Sequence, residues 1–231
     1  MLGPEIDDAI GQGLPVITMD SDAPASKRLL FIGTDNELAG RTGAKYAVKA
    51  LGGKGKVIVY TMPGQTNLEE RLRGYKDVFA ENHIEIADVV DVKGDPTIAF
   101  DKTNDIVVQN KVKPEGFVCL EAEACKEVAD VLDRNKVTGK VVIAMDTNKG
   151  TLDWIEKGLI TATIAQKPYT MAYYGEKVLD DIHHYKPPSL VMMWAADTQA
   201  PFPMFVDTGA TLIDKKSLSA FLAAQNPSDA K

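Results

Sequence analysis

The sequence has no run of 18 apolar residues, which is about the length that a helix needs to cross a membrane. Its first residues, as written, do not carry the basic and apolar regions of an export signal, which leaves open a signal encoded upstream. Positive charge is scarce as well: 26 Lys and Arg stand against 33 Asp and Glu, for a net charge of −7. Because nucleic acid is bound by basic surfaces, we expect no nucleic-acid partner.

Metal-ligating and nucleophilic residues are also few. The two cysteines, Cys119 and Cys125, fall in a predicted strand and in the helix after it. We interpret both as small buried hydrophobic side chains and not as a disulfide or a metal pair. None of the three histidines has a partner at zinc-ligand spacing, so we predict no metal and no cofactor. The motifs G-x-S-x-G and H-E-x-x-H are missing too, and the sequence therefore indicates no enzyme class.

What the sequence does contain is a regular alternation of apolar, β-branched runs with amphipathic helical runs. Continuous apolar strands that are each followed by a crossover helix are typical of a parallel sheet covered on both faces. The sequence therefore predicts an α/β fold of doubly wound parallel sheet. The predicted strands are 15–19, 29–33, 56–61, 86–92, 116–121, 141–145 and 161–165, and the predicted helices lie near 4–12, 37–51, 66–82, 97–111, 123–136, 150–157 and 169–184.

After Tyr185 this alternation stops. The following segment is rich in proline, methionine and aromatic residues, and it ends in the apolar run FVDTGATLI and a short helical stretch. A long loop in an α/β protein often covers a site or crosses between lobes. A plain surface excursion explains the composition equally well, and both readings stay open.

Polar side chains follow five of the predicted strands. Ligands of open parallel sheets bind outside the carboxyl ends of the strands, so these side chains are candidate ligand contacts. Carboxylates and amides accept from adjacent hydroxyls, and a guanidinium donates to two oxygens, which suits a polyhydroxylated ligand. A single acid at such a place is more often a helix N-cap than a ligand contact, and a pair of acids can also serve a glycosidase. The candidates are Asp20, Ser21, Asn67, Arg71, Glu121, Asp146 and Gln166.

Several longer stretches resemble a known family. They are PVITMDSDAPASKRLLFIGTDNELAG, GKVIVYTMPGQTNLEERLRGYKD, VVIAMD, ITATIAQKPYTMAYYGEKVL and FVDTGATLI. They look like the ribose-binding-like branch of the type I periplasmic sugar-binding proteins, the solute receptors of ABC sugar importers. The same fold also serves as the effector domain of LacI-type transcriptional regulators, here without a DNA-binding head. A glycan-processing enzyme on this fold class is a third alternative.

The resemblance implies two doubly wound lobes that close on one monosaccharide. It places residues 1–34 and 167–205 in a partial N-terminal lobe, and residues 35–166 and 206–231 in a complete C-terminal lobe. About three βα units, roughly 90 residues, are expected before the first of these strands. An incomplete lobe has an unpaired strand edge, so we expect self-association there. The resemblance further implies a membrane permease as partner, a periplasmic location and no enzymatic activity.

The resemblance also assigns roles to single residues. Asp20 matches an acid that accepts from sugar hydroxyls, Arg71 an arginine that donates to the ring side of the sugar, and Asp146 an acid of the C-terminal lobe. Gln166 matches a glutamine beside the hinge.

Two positions depart from the ribose-binding pattern. Ser21 stands in place of an arginine and Glu121 in place of an asparagine. An ionised glutamate only accepts hydrogen bonds, so we expect a hydroxyl pattern other than that of ribose. We further hypothesise that Trp194 or Phe202 packs against a sugar face.

Overall fold

The computed structural model describes residues 2–109, 112–185 and 202–225. In chain order the elements are α1 (Gly3–Gly11), β1 (Thr18–Met19), β2 (Phe31–Gly33), α2 (Asn36–Leu51), β3 (Gly55–Thr61), α3 (Thr66–Glu81), β4 (Ile84–Asp91), α4 (Pro96–Gln109), β5 (Gly116–Cys119), α5 (Ala124–Arg134), β6 (Val141–Met145), α6 (Lys149–Lys157), β7 (Ala162–Ala165), α7 (Pro168–His184), β8 (Phe205–Asp207), β9 (Thr211–Asp214) and α8 (Leu218–Gln225). Within these ranges no helix combines the length and the hydrophobicity of a membrane span. The predicted α/β fold is confirmed.

The chain forms two compact units. The first unit comprises residues 1–35 and 166–210, and the second comprises residues 36–165 and 211–231. Each unit has its own sheet, with the strand order β1-β2-β8 in the first and β4-β3-β5-β6-β7-β9 in the second. All strand pairs are parallel except β7 with β9, which is antiparallel.

The second unit has a hydrophobic core on each face of its sheet. Every residue of β5 and β7 is buried, which explains why these strands read as continuous apolar runs. Helices α4, α5, α6 and α8 cover one face through residues such as Leu132 and Ile155. Helices α2 and α3 cover the other through residues such as Ala47 and Phe79. The sheet is therefore enclosed on both sides, as its sequence predicts.

Two glycines bring α2 and α3 close together. A Cβ atom at Gly40 would overlap the backbone carbonyl of Arg71, and one at Gly74 would overlap that of Glu37. Only glycine permits so close an approach of two helix backbones. The contact fixes the first turns of α3 against the beginning of α2, which matters for the candidate site below.

The first unit is smaller and more exposed. Helix α7 packs on its three-stranded sheet through Met171, against Ile32 of β2 and against Leu30, the residue before β2. At the edge strand β1, Met19 keeps 48% of its surface exposed. The regular strand begins at Thr18 and not at Pro15, although Val16 already accepts a backbone hydrogen bond from Leu29 at 2.8 Å.

The apolar run FVDTGATLI is not one strand. Its first part, β8, pairs with β2 of the first unit, and its last part, β9, pairs with β7 of the second. Gly209 lies between them with φ 77°, a left-handed conformation that glycine adopts without strain. Residues 206–210 therefore belong to the first unit, whereas the resemblance places the lobe boundary after residue 205.

The interpretation of the two cysteines was also wrong, because Cys119 and Cys125 form a disulfide with their Cα atoms 5.6 Å apart. Both are buried, as expected. Cys119 is the last residue of β5, and Cys125 is the second residue of α5, which begins at Ala124. The short loop between strand and helix turns back on itself and brings the second cysteine to the first. Sequence periodicity does not encode the path of such a loop.

Candidate functional site

In the second unit, polar side chains gather at the carboxyl ends of the parallel strands. Arg71 lies in the second turn of α3, just after β3, whereas Glu121 and Asp146 follow β5 and β6. Since β3, β5 and β6 are neighbours in the sheet, these three residues lie side by side where the parallel strands end, which we call the carboxyl edge of the sheet. The sequence predicted this placement for all three.

Arg71 is the most enclosed of them, with 3% of its surface exposed. Its Nε donates to Oδ1 of Asn36 at 2.9 Å, and its Nη1 donates to the backbone carbonyl of Leu120 at 2.8 Å. A buried charge is costly unless it is hydrogen-bonded, and these two contacts supply part of that compensation. They also fix the plane of the guanidinium group.

Asn36 was not among the predicted site residues. It is the first residue of α2, directly after the segment that follows β2, and it is 2% exposed. Its position at a helix start that follows a strand was the available sequence signal for a site residue. Nothing in the sequence, however, pairs Asn36 with Arg71.

Asp146 has a left-handed backbone, with φ 67°. Its N–H donates to the carbonyl of Ile164 at 2.8 Å, and its own carbonyl accepts from Oγ1 of Thr163 at 2.7 Å. Aspartate tolerates this conformation better than most residues, and such conformations concentrate at functional sites. The N-cap position of the following helix, α6, is occupied by Asn148, so Asp146 is not its N-cap.

Glu121 points to its own loop. Its carboxylate accepts from the backbone N–H of Glu123 at 2.7 Å and from that of Ala124 at 2.6 Å, at the beginning of α5. Burial raises the pKa of this carboxyl, and the charges of Glu123 and Asp146 add to the increase, against the lowering effect of the two N–H donors. Glu121 therefore stabilises a helix start, and its predicted contact with a ligand stays a prediction.

Asn67, the remaining candidate of this edge, is the second residue of α3 and is half-buried. Its Oδ1 accepts from the N–H of Leu68 at 3.0 Å, within its own helical turn. The structure thus brings it to the carboxyl edge, and its role as a ligand contact also stays a prediction.

In the first unit, Asp20 and Ser21 are exposed after the edge strand β1. Asp20 repeats the left-handed φ of 67° and donates its N–H to the carbonyl of Ile32 at 3.0 Å. The next acid, Asp22, is instead paired with Arg28 and accepts from Oγ1 of Thr18 at 2.7 Å. Asp22 is thus a structural residue, whereas the roles of Asp20 and Ser21 stay predictions.

Gln166 lies where the chain re-enters the first unit, and its Oε1 accepts from Oγ1 of Thr34 at 2.9 Å. Close to Thr34 in sequence, the N–H of Asp35 donates to Oδ1 of Asp207 at 3.0 Å. The same oxygen accepts from the N–H of Gly209 at 2.8 Å. The polar contacts of the first unit thus tie residues 34–35 to 166 and to 207–209.

Of the two aromatic candidates, the structure describes only Phe202. Trp194 lies outside the described residues. Phe202 packs in a small hydrophobic cluster of the first unit with Leu29 and Ile182.

Two cavities of about 210 and 230 Å³ lie at the opposite edge of the second sheet, where the strands begin. Both are lined by Val137 and Lys140, which precede β6. They do not include any candidate residue. Among the described residues no group of three His, Cys, Asp or Glu side chains is placed to hold a metal ion.

Comparison with known proteins agrees with this architecture. Residues 1–185 match the family model described as "Periplasmic binding protein domain". The ribose import binding protein RbsB of Bacillus subtilis (strain 168) is 28% identical over 187 residues, which are 78% of this chain and 59% of that protein. The chain thus spans about three fifths of the length of this curated relative.

Solved structures are similar over nearly the whole chain. A sugar-binding protein of a sugar ABC transporter from Bacillus halodurans is 32% identical, with a TM-score of 0.82, covering 95% of this chain and 75% of that one. AraP, an arabinose-binding protein from Geobacillus stearothermophilus, is 31% identical, with a TM-score of 0.80, covering 95% and 74%. Together, the family match and these structures show that the chain belongs to the periplasmic binding protein domain family.

Proposed function

We propose that this chain is the sugar-binding component of an ABC importer and that it binds a neutral monosaccharide. The observation that carries the proposal is the buried Arg71 guanidinium, held by Asn36 and Leu120 on the same sheet edge as Asp146. A fixed guanidinium donates to sugar oxygens, and a carboxylate accepts from sugar hydroxyls. Because the Arg71 guanidinium is already held by buried neighbours, this side chain loses little entropy when a sugar binds.

The charge at this edge favours a neutral ligand. Glu123 is paired with Lys126, whereas Glu121 and Asp146 place two acidic side chains after β5 and β6, at the carboxyl ends of the two strands that follow β3 in the sheet. An anionic sugar phosphate or sugar acid would be repelled by these carboxylates. An uncharged sugar instead donates a hydroxyl to the Asp146 carboxylate.

The matched proteins supply the sugars to test. These proteins are named for, or were solved with, ribose, allose, arabinose and tagatose, the last in a structure that is only 23% identical. Ser21 and Glu121 depart from the ribose-binding pattern, so we expect a sugar other than ribose to bind most tightly.

The disulfide supports a location outside the cytoplasm, because disulfides persist in oxidising compartments. We therefore propose a periplasmic or extracellular protein that delivers its sugar to a membrane permease.

Self-association through the first unit is a further part of the proposal. It is supported by the exposed Met19 and Phe205 on the edge strands β1 and β8. Sedimentation of the chain over a range of concentrations tests it, and a monomer throughout would contradict it.

Thermal unfolding with D-ribose, D-allose, L-arabinose, D-arabinose and D-tagatose tests the sugar-binding proposal. A ligand that binds only the folded state stabilises it by mass action and so raises the melting temperature. At a ligand concentration of 100 times Kd the stabilisation is about 2.7 kcal/mol. We expect one of these sugars to do so, and Asp146→Asn, which keeps a residue tolerant of the left-handed backbone, to abolish the increase.

The matched control is Asp105→Asn, which removes an exposed acid in the middle of α4. It should leave the sugar-dependent increase intact. No increase with any sugar, or an increase that survives Asp146→Asn, would contradict the proposal.

A further inference from the structure

The disulfide of the second unit joins two residues six positions apart, across the end of β5 and the first turn of α5. Both half-cystines are buried, with 2% of Cys119 and none of Cys125 exposed. Residues 120–123 lie between strand and helix and belong to neither. The cross-link therefore fixes both ends of this loop in the hydrophobic core.

This loop contains one of the two groups that orient Arg71. The carbonyl of Leu120 accepts from Nη1 of Arg71, while the N–H of Leu120 donates to the carbonyl of Tyr60 on β3 at 3.0 Å. The direction of that carbonyl depends on ψ of Leu120 and φ of Glu121, and Glu121 belongs to no helix or strand.

Besides the hydrogen bond of Leu120 to Tyr60, two restraints act on those angles. One is the Glu121 carboxylate, which accepts from the N–H groups of Glu123 and Ala124. The other is the disulfide, which prevents the end of the strand and the start of the helix from separating.

We propose that the Cys119–Cys125 disulfide positions Arg71: by holding the carbonyl of Leu120, it fixes the guanidinium plane for the sugar. The disulfide is then part of the binding machinery and not only a stabilising cross-link. Its effect on sugar affinity rests on the proposed function, whereas its effect on Arg71 does not. A binding group must be held within about 0.5 Å and 10–20° to be effective, and a free loop does not meet that requirement.

The first test needs no sugar. The Nε–H of Arg71 gives its own NMR signal, and we expect its hydrogen exchange to be slow in the disulfide-bonded chain. In Cys119→Ala/Cys125→Ala we expect faster exchange and a shifted signal. The Nε–H of Arg28, which is bonded to Asp22 in the first unit, should not change.

A core variant separates this effect from a general loss of stability. Ile155→Ala removes a fully buried side chain from the same hydrophobic cluster as the disulfide but lies in α6. It should lower the melting temperature and leave the Arg71 signal in place. If the cysteine pair and Ile155→Ala change the Arg71 signal alike, the proposal is overturned.

The second test uses whichever of the five sugars raises the melting temperature. In a cycle with Arg71→Lys, loss of the disulfide should weaken sugar binding about fivefold or more in the wild-type background. In the Arg71→Lys background it should weaken binding less than about twofold, because the group that the disulfide positions is gone. Equal losses in both backgrounds would overturn the proposal. If no sugar binds, the proposed function fails, and the exchange of the Arg71 Nε–H still decides the role of the disulfide.

Discussion

Asp20 in the first unit and Asp146 in the second occupy the same local position. Each follows a strand, each has φ 67°, and each donates its N–H to a carbonyl of the adjacent strand, Ile32 or Ile164. Their surroundings differ: Asp146 is half-buried in a six-stranded sheet, and Asp20 is exposed at the edge of a three-stranded sheet. The backbone conformation thus follows from the strand end itself, whereas burial follows from the number of strands and helices around it.

The largest expected difference between the units concerns their cores. Phe117 of β5 is 1% exposed, whereas Phe205 of β8 is 40% exposed and stacks on Phe31 with the ring centroids 5.2 Å apart. Phe117→Ala should lower the free energy of unfolding by about 4 kcal/mol, and Phe205→Ala by only about 1 kcal/mol. Urea unfolding followed by circular dichroism measures both. Equal losses would mean that the small sheet is packed as firmly as the large one.

The next effect concerns the disulfide, which only the second unit has. Removing a cross-link between residues six positions apart, in Cys119→Ala/Cys125→Ala, should cost about 2 kcal/mol because the unfolded chain gains freedom. Hydrogen exchange should show the loss in β5 and β6 and not in β2. A reductant should reproduce the loss in the wild-type chain and have no effect on the variant. Equal changes in β2 and β5 would contradict this assignment.

A smaller effect tests what the two aspartates share. In a left-handed conformation glycine is favoured over alanine, so Asp20→Gly should be more stable than Asp20→Ala by about 1 kcal/mol, with the same difference at Asp146. In the middle of α4 the order reverses, and the free energy of unfolding of Asp105→Ala should exceed that of Asp105→Gly by about 1 kcal/mol. Thermal unfolding of the six variants measures these three differences. A difference at only one of the two aspartates would break the comparison.

The smallest expected effect is a pH dependence of the second unit. Burial raises the folded-state pKa of Glu121 above its ordinary value of 4.5. Between these two pKa values the folded state binds more protons than the unfolded state, so the free energy of unfolding falls as pH rises through the interval. Glu121→Gln should remove this slope in urea titrations at a series of pH values from 4.5 upward. An unchanged slope would show that Glu121 does not cause it.

The sequence predicted those elements well whose pattern is long and regular. The helices expected at 37–51 and 66–82 are observed at 36–51 and 66–81, because their apolar periodicity extends over four turns. Short segments were harder. FVDTGATLI reads as one apolar run, since the turn at Gly209 does not interrupt its hydrophobicity.

The candidate site was predictable in its placement but not in its internal contacts. Arg71 and Asp146 follow strands that are apolar throughout, so the topological rule for parallel sheets placed them at one edge. The partner Asn36 and the carbonyl of Leu120 lie 35 and 49 positions from Arg71. Such pairings depend on how helices and loops pack, which one sequence does not reveal.

The antiparallel strand β9 also has a consequence for the order of synthesis. It pairs with β7, yet Thr211 is translated 46 positions after Ala165. At five to twenty residues per second the ribosome needs roughly 2 to 9 seconds for that interval. During this time β7 lacks the β9 neighbour that pairs with it in the folded chain, and an unpaired strand edge can pair with another chain.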